Sequence, residues 1–286
     1  MKLWDFMKDI HESIEERTSN LKPVDIEYIP DKDDLKLEVG KWYRIKDVVC
    51  VYLDLKDSTR ASFQKTKEGM AKVYEHIGTG ITRIFQNENF KADFIDIKGD
   101  GGFALYKGNF AEIKAFLAAE TFKTYSYKYL KNKFYNIEIK FGIGISKGNL
   151  LVKKVGTRSW NYPVWAGKVV NHAAYICKEV KEKFHFERDV IGVDQSIYNA
   201  LNTPKFREYL VLSCECSNKT NLWKKASPRN SEFSDFYYLK ANWCNKHGEE
   251  YINAVLQLIK EVETQILNPT RYIASKRVIH LQEDKC

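Results

Sequence analysis

Apolar positions along this chain recur with two different periods. Near the N-terminus, Leu3, Phe6, Met7, Ile10 and Ile14 fall at helical spacing and predict an amphipathic helix over residues 1 to 20. The stretch "SNLKPVDIEYIPDKDDLKLEVG" follows with two prolines and dense charge, and reads as an extended arm. The β-branched run "VVCVYLDL" then predicts a short strand buried on both faces. Beyond it, Phe63, Met70, Val73, Ile77, Ile81 and Ile84 form one helical stripe, with Gly78 and Gly80 weakening its centre.

The pattern continues to alternate. "FKADFIDIKGDGGFALYKGN" reads as two strands joined by a turn, with Gly99 to Gly102 supplying the positive-φ positions that tight hairpins require. "FAEIKAFLAAETFKTYSYKYLKNK" is a helix, and "YNIEIKFGIGISKGNLLVKKVG" a second hairpin-like pair turning at Lys147, Gly148 and Asn149. "GKVVNHAAYICKEVKEKF" returns to helix, and "RDVIGVDQSIYNALN" pairs a strand with a short helix. Strand, helix, hairpin, helix, hairpin, helix, strand is the order of an α+β arrangement related to ferredoxin-like folds, a mixed sheet covered by helices. In the tail, "YLVLSCEC" and "DFYYLK" are candidate edge strands. "EEYINAVLQLIKEVETQIL" is an amphipathic helix with Ile252, Val255, Leu256, Ile259 and Val262 on its apolar side.

Composition narrows the class. A chain of 286 residues buries a sizeable core without staples. Its six cysteines lack C-x-x-C spacing, and Cys214 and Cys216 stand too close for a usual zinc knuckle, so reduced thiols are expected. Acids interrupt the N-terminus where a signal peptide needs an apolar stretch, and no run of about 18 apolar residues occurs. These features predict a cytoplasmic protein with no membrane insertion. A formal charge of +8 suits a polyanionic ligand, but the basic residues are scattered. "KYLKNK" and "KEVKEK" read as solvated helix faces, and no nucleic-acid-binding motif accompanies them.

The chemistry concentrates at "VYLDLKDSTR", where Asp54, Asp57, Ser58 and Thr59 close the first buried strand. Asp57 or Ser58 capping the next helix is one reading. A second acidic position, Asp100 in the hairpin turn, offers another. If the two strands are neighbours, Asp54 and Asp100 converge at one sheet edge as hard oxygen ligands for Mg²⁺ or Mn²⁺, with phosphate oxygens completing the shell. Asp100 is also an ordinary residue for a "GDG" turn. The D-x-x-D spacing of Asp54 and Asp57 departs from the D-x-D of haloacid-dehalogenase-type phosphatases, and P-loop and protein-kinase signatures are absent.

Taken in order, "VYLDLKDST", "FIDIKGDGGFALY", "FGIGISKGNLL" and "VWAGKVVNHAAY" resemble the catalytic domain of class III nucleotide cyclases over roughly Val48 to Lys178. That family works as dimers of a ferredoxin-like domain. It turns a nucleoside triphosphate into its 3′,5′-cyclic monophosphate and pyrophosphate with two metal ions. The resemblance implies Asp54 and Asp100 as metal ligands with the Leu55 carbonyl as a third contact, and Mn²⁺ or Mg²⁺ as the two ions per site. Asn171 matches the asparagine that orients the ribose. Backbone N–H groups of Lys56, Asp57, Ser58 and Thr59 would cradle the triphosphate as helix N-termini do. It also implies a catalytic domain over residues 43–245, between an N-terminal helix and arm over 1–42 and a C-terminal helix and tail over 246–286.

Two positions depart from the family pattern. Four residues beyond the asparagine, adenylyl and guanylyl cyclases carry an arginine that stabilises the transition state, where this chain has Tyr175. Either another cation, such as Lys178 or Lys168, fills that role, or activity is low. Three residues before the Gly99–Asp100 pair, where adenylyl cyclases have lysine and guanylyl cyclases glutamate, stands Asp96. The second base-reading position falls near Val164. This altered pocket and "DLKDST" look most like the pyrimidine cyclases of the bacterial antiphage systems called Pycsar, in which a separate effector protein senses the cyclic nucleotide. The resemblance implies a homodimeric pyrimidine cyclase with shared active sites. Cytosine is the expected base, because an ionised Asp96 accepts from the N4 amino group and faces uracil O4 unfavourably. Tyr52, two residues before Asp54, would narrow the pocket by stacking. Uracil keeps an N3–H that Asp96 can accept, so uridylate cyclase is the alternative, followed by a guanylyl or adenylyl cyclase and a catalytically dead nucleotide sensor.

Overall fold

The computed structural model describes residues 2–18, 21–31, 33, 35, 41–58, 66–157, 160–183, 189–212 and 219–267. The chain divides into two compact units: residues 1–200 with 223–240, and residues 201–222 with 241–286.

The first unit is built on a mixed sheet. Among the described residues its strands are β1 (Val24–Ile26), β2 (Tyr43–Leu55), β3 (Phe94–Lys98), β4 (Gly101–Tyr106), β5 (Phe141–Gly156), β6 (Asn161–Ala166), β7 (Val190–Val193), β8 (Trp223–Ala226) and β9 (Phe236–Leu239). They run in the order β3-β4-β2-β5-β7-β9-β8, with β1 beside β2 and β6 beside β5. The β2 run is buried on both faces as its β-branched composition requires, with Val48 to Val51, Leu53 and Leu55 all in the core.

Helices α2 (Lys67–Phe85) and α3 (Ala111–Tyr125) cover one face of this sheet, and α4 (Lys168–Lys183) the other. Phe85 of α2 meets Tyr106 of β4, and Phe122 of α3 meets Phe141 of β5. Side chains alternate along a strand, so the residues one step away point toward α4. On that side, Cys50, Phe103, Leu105 and Val152 pack with Val169 and Ala173 of α4. The helix lies unusually close to β5. A Cβ on Gly144 would come within 2.0 Å of the Ala173 carbonyl oxygen, and one on Gly142 within 2.3 Å of the Lys181 Cγ. The alternating glycines of "FGIGI" are therefore a bed for α4.

Several expectations are corrected. Lys147, Gly148 and Asn149 do not turn; β5 is one continuous strand, and Gly148 pairs Val48 where it packs against Val169. The irregularity sits in β2, between Ile45 and Val48, where Asp47 takes φ 55°. In the β3–β4 turn the positive φ belongs to Gly99 alone, at 62°. Gly101 instead removes a Cβ that would sit 2.2 Å from the Leu53 carbonyl oxygen. The "DFYYLK" strand is internal, because β9 lies between β7 and β8. The start of "YLVLSCEC" is not a strand, because Arg207–Leu210 is helical, and Ser213 to Cys216 lie outside the described residues. Helix α1 (Leu3–Thr18) forms as its spacing predicts, with no residue buried.

In the second unit, Tyr209 stacks edge-on with Tyr251 of the terminal helix, His247–Leu267, which buries Val255 and Ile259. No helix among the described residues is long and apolar enough to cross a membrane.

Candidate active site

Register brings the two aspartates together. Asp54 pairs with Gly101 of β4 on one side and Gly142 of β5 on the other, and the Leu55 N–H donates to the Asp100 carbonyl oxygen at 3.2 Å. Asp54 and Asp100 thus meet at one edge, as their spacing in the hairpin pattern predicts. Both neighbours of Asp54 are glycines, so no flanking side chain crowds its carboxylate. Tyr52, Phe103 and Asp96 stand in one cross-strand row, two positions along β2 from Asp54 and on the same face. Burial raises the Tyr52 phenol above its ordinary value, and the thiols of Cys177 and Cys50 and the carboxylates of Asp100 and Asp96 push the same way.

Asp96 is not an isolated acceptor. Its carboxylate is 37% exposed and lies 3.5 Å from the Lys98 ammonium, which projects from the same face of β3. Phe94, Asp96 and Lys98 line a cleft of about 970 Å³ together with Tyr162 and Pro163 of β6. Val164, the predicted second base-reading position, follows these two on β6 and is exposed.

Behind Asp54 the structure places a cation that the pattern "KEVKEK" had assigned to a solvated face. The Lys181 ammonium of α4 pairs with the Asp54 carboxylate, and its side chain is 15% exposed. Burial holds Lys181 below the ordinary lysine value, with Glu182 working in the opposite direction. The signal was present in the sequence as Ala173, Cys177 and Lys181, spaced i, i+4, i+8 on the stripe that meets the β5 glycines. Lys178 is exposed and stands 3.9 Å from Glu182, and Lys168 is exposed at the start of the helix.

Asn171 lies in the first turn of α4 and is exposed. It stands ten residues before Lys181, about 15 Å along the helix axis, so one chain does not bring Asn171 to its own Asp54. Around it the helix is firmly held. The Ser146 hydroxyl donates to Asp194 at 2.7 Å and lies 3.1 Å from Nδ1 of His172. The His172 ring stacks on Phe233, and so does that of Tyr175. Burial lowers the His172 value, against the opposing pull of Asp194.

The predicted phosphate cradle is partly spent. The Lys56 N–H donates to the Lys140 carbonyl oxygen at 2.7 Å and is unavailable to a ligand. Asp57 adopts φ 53°, Ser58 begins helical backbone, and Thr59 and Phe63 lie outside the described residues. Helix α2 starts at Lys67, capped by Thr66, whose hydroxyl accepts the Gly69 N–H.

No family model matches the sequence. Among individual proteins, the chain is 32% identical over 239 residues to a uridylate cyclase of Micromonospora echinofusca, covering 79% of this chain and 75% of that one. It is 29% identical over 255 residues to a uridylate cyclase of Propioniciclava tarda, covering 85% and 77%. Its fold matches the adenylyl cyclase CyaB of P. aeruginosa with a TM-score of 0.54 at 12% identity, covering 71% of this chain and 97% of that one. At that identity the likeness speaks for the fold, while the curated relatives speak for the family. With paired aspartates at the edge of this sheet, the chain belongs to the class III nucleotide cyclases, close to the pyrimidine cyclases.

Proposed function

We propose that this chain cyclises UTP to 3′,5′-cyclic UMP with release of pyrophosphate, as a homodimer using Mg²⁺ or Mn²⁺. The observation that carries the reading is the meeting of Asp54 and Asp100 at one edge, on the face that presents the Tyr52, Phe103 and Asp96 row.

The donor set fits two hard divalent cations: two carboxylates with the Leu55 carbonyl nearby, and an ammonium already attracted to Asp54. When bound, such ions lower the pKa of the ribose 3′-hydroxyl and neutralise charge on the triphosphate. Asp54 and Asp100 supply the anchoring charge. The 3′-hydroxyl loses its proton to solvent as its oxygen forms the new bond to the α-phosphorus, the bond from the α-phosphorus to the oxygen bridging to the β-phosphate breaks, and pyrophosphate carries away the electron pair. With the Lys56 N–H taken up by the Lys140 carbonyl, the backbone N–H groups of Asp57 and Ser58 would border the triphosphate. Asn171 orients the ribose from the second copy, in keeping with its distance from Asp54 within one chain, and Tyr175 and Lys178 stand on the same helix. An active-site arginine at the Tyr175 position is not required for the bond changes themselves; its charge role passes to a lysine.

Uracil is preferred over the cytosine that Asp96 alone suggests. Lys98 places a donor beside the Asp96 acceptor, so O4 and N3–H of uracil are both answered. Both relatives bear the name uridylate cyclase. Resemblance to the Pycsar cyclases further supports a messenger role in antiphage defence, read out by a separate effector.

Incubation of the purified protein with each of the four ribonucleoside triphosphates and Mn²⁺ tests the reading. Cyclic UMP is expected as the main product, with Asp96→Asn changing the ratio of uridine to cytidine product. Mainly cyclic CMP would return the assignment to cytidylate cyclase, and no product from any substrate would make the chain a sensor.

A further inference from the structure

Asp54 has a partner 127 residues away that the cyclisation chemistry above does not use. We propose that Lys181 is the resident counter-ion of Asp54: its ammonium holds the carboxylate while the site lacks a divalent cation, and must leave that oxygen when the cation binds. The inference rests on the reading of Asp54 as a metal ligand.

Three features make this a built contact. Gly142 opens the lane, because a Cβ there would lie 2.3 Å from the Lys181 Cγ and 3.1 Å from its Cδ. Any larger residue at 142 would close the route from α4 to the sheet edge. Lys181 also differs from the neighbouring lysines of its helix. Lys178 projects outward toward Glu182, and the Lys183 ammonium donates to the Ser227 carbonyl. Finally, the pair is sheltered, with the Lys181 side chain 15% and the Asp54 side chain 34% exposed.

A carboxylate at this depth without a cation bears a desolvation cost. The ammonium relieves it and keeps the carboxylate in position. An incoming divalent cation has to compete with that ammonium for Asp54, so the lysine weakens metal binding to the nucleotide-free protein. Once displaced, Lys181 stays tethered beside the site, where phosphate oxygens can take it up. Metal and nucleotide would then bind cooperatively.

The test is Mn²⁺ binding to the nucleotide-free, full-length protein, by calorimetry or by electron paramagnetic resonance of free Mn²⁺. Lys181→Met, which keeps an aliphatic stem against Gly142, is expected to tighten the Asp54-dependent site at least about fivefold, roughly 1 kcal/mol. Lys181→Gln should act in the same direction, and Lys181→Arg should stay near wild type. Lys183→Met removes the same charge from an exposed lysine two residues along the helix, which the site does not use, and should change affinity less than about twofold, which separates the contact from a general charge effect. Equal or weaker Mn²⁺ affinity in both Lys181→Met and Lys181→Gln, with binding still abolished by Asp54→Asn, overturns this inference alone. Binding that Asp54→Asn leaves intact in every background overturns the metal-ligand reading as well.

Discussion

The Tyr175 ring lies flat on that of Phe233, with centroids 3.7 Å apart and planes within 5°. The Tyr175 hydroxyl also accepts the Asn230 N–H at 2.9 Å. The position four residues beyond Asn171 thus carries a ring fastened to the segment that precedes β9.

This fastening predicts a stability role for Tyr175. Tyr175→Ala should lower the unfolding free energy by about 1 kcal/mol through lost stacking, and Tyr175→Phe by less, since water can reach the exposed Asn230 N–H. Urea denaturation measures both. A Tyr175→Ala midpoint equal to wild type would sink the idea that the stack holds this segment on α4.

Asp54→Ala and Asp100→Ala should each abolish cyclisation while leaving a folded dimer, since each removes charge from a partly open edge. Residual activity above about a tenth of wild type, a loss of less than about 1.4 kcal/mol, would exclude either as a metal ligand. Because Asn171 stands away from Asp54 in its own chain, mixing inactive Asp54→Ala with inactive Asn171→Ala should restore one working site per heterodimer. Mixtures that exchange subunits and stay inactive would rule out shared sites.

His172 gives a pH signature. Burial lowers its value in the folded protein, so the unfolded chain binds the proton more readily. Its contribution to stability is intact above the unfolded value of about 6.5 and is lost as pH falls through the lower folded value. The melting temperature of wild type should therefore decline more between pH 7 and pH 5 than that of His172→Gln. Parallel declines in the two proteins would show that His172 is not a source of the acid sensitivity.

Much of this molecule was legible in one dimension. Strand β2, the Gly99–Asp100 turn and helices α1 to α4 follow from local rules, because burial on both faces selects a β-branched run and helical burial selects a 3.6-residue stripe. Local pattern was enough to put Asp54 near a strand end, Asp100 in a turn and Asn171 in the first turn of a helix.

What depended on distant neighbours was misread or missed. Gly148 looked like a turn residue, yet it is a flat strand position that leaves room for Val169. Lys181 looked like one more solvated lysine, yet Gly142, on a strand 39 positions earlier, gives it a path to Asp54. Asp96 reads in sequence as a lone acceptor, yet the Lys98 ammonium lies beside it. Local propensity and spacing therefore determined the elements and the acidic edge. The partner of each charge was decided by how closely α4 settles on a glycine bed, which only packing in three dimensions sets.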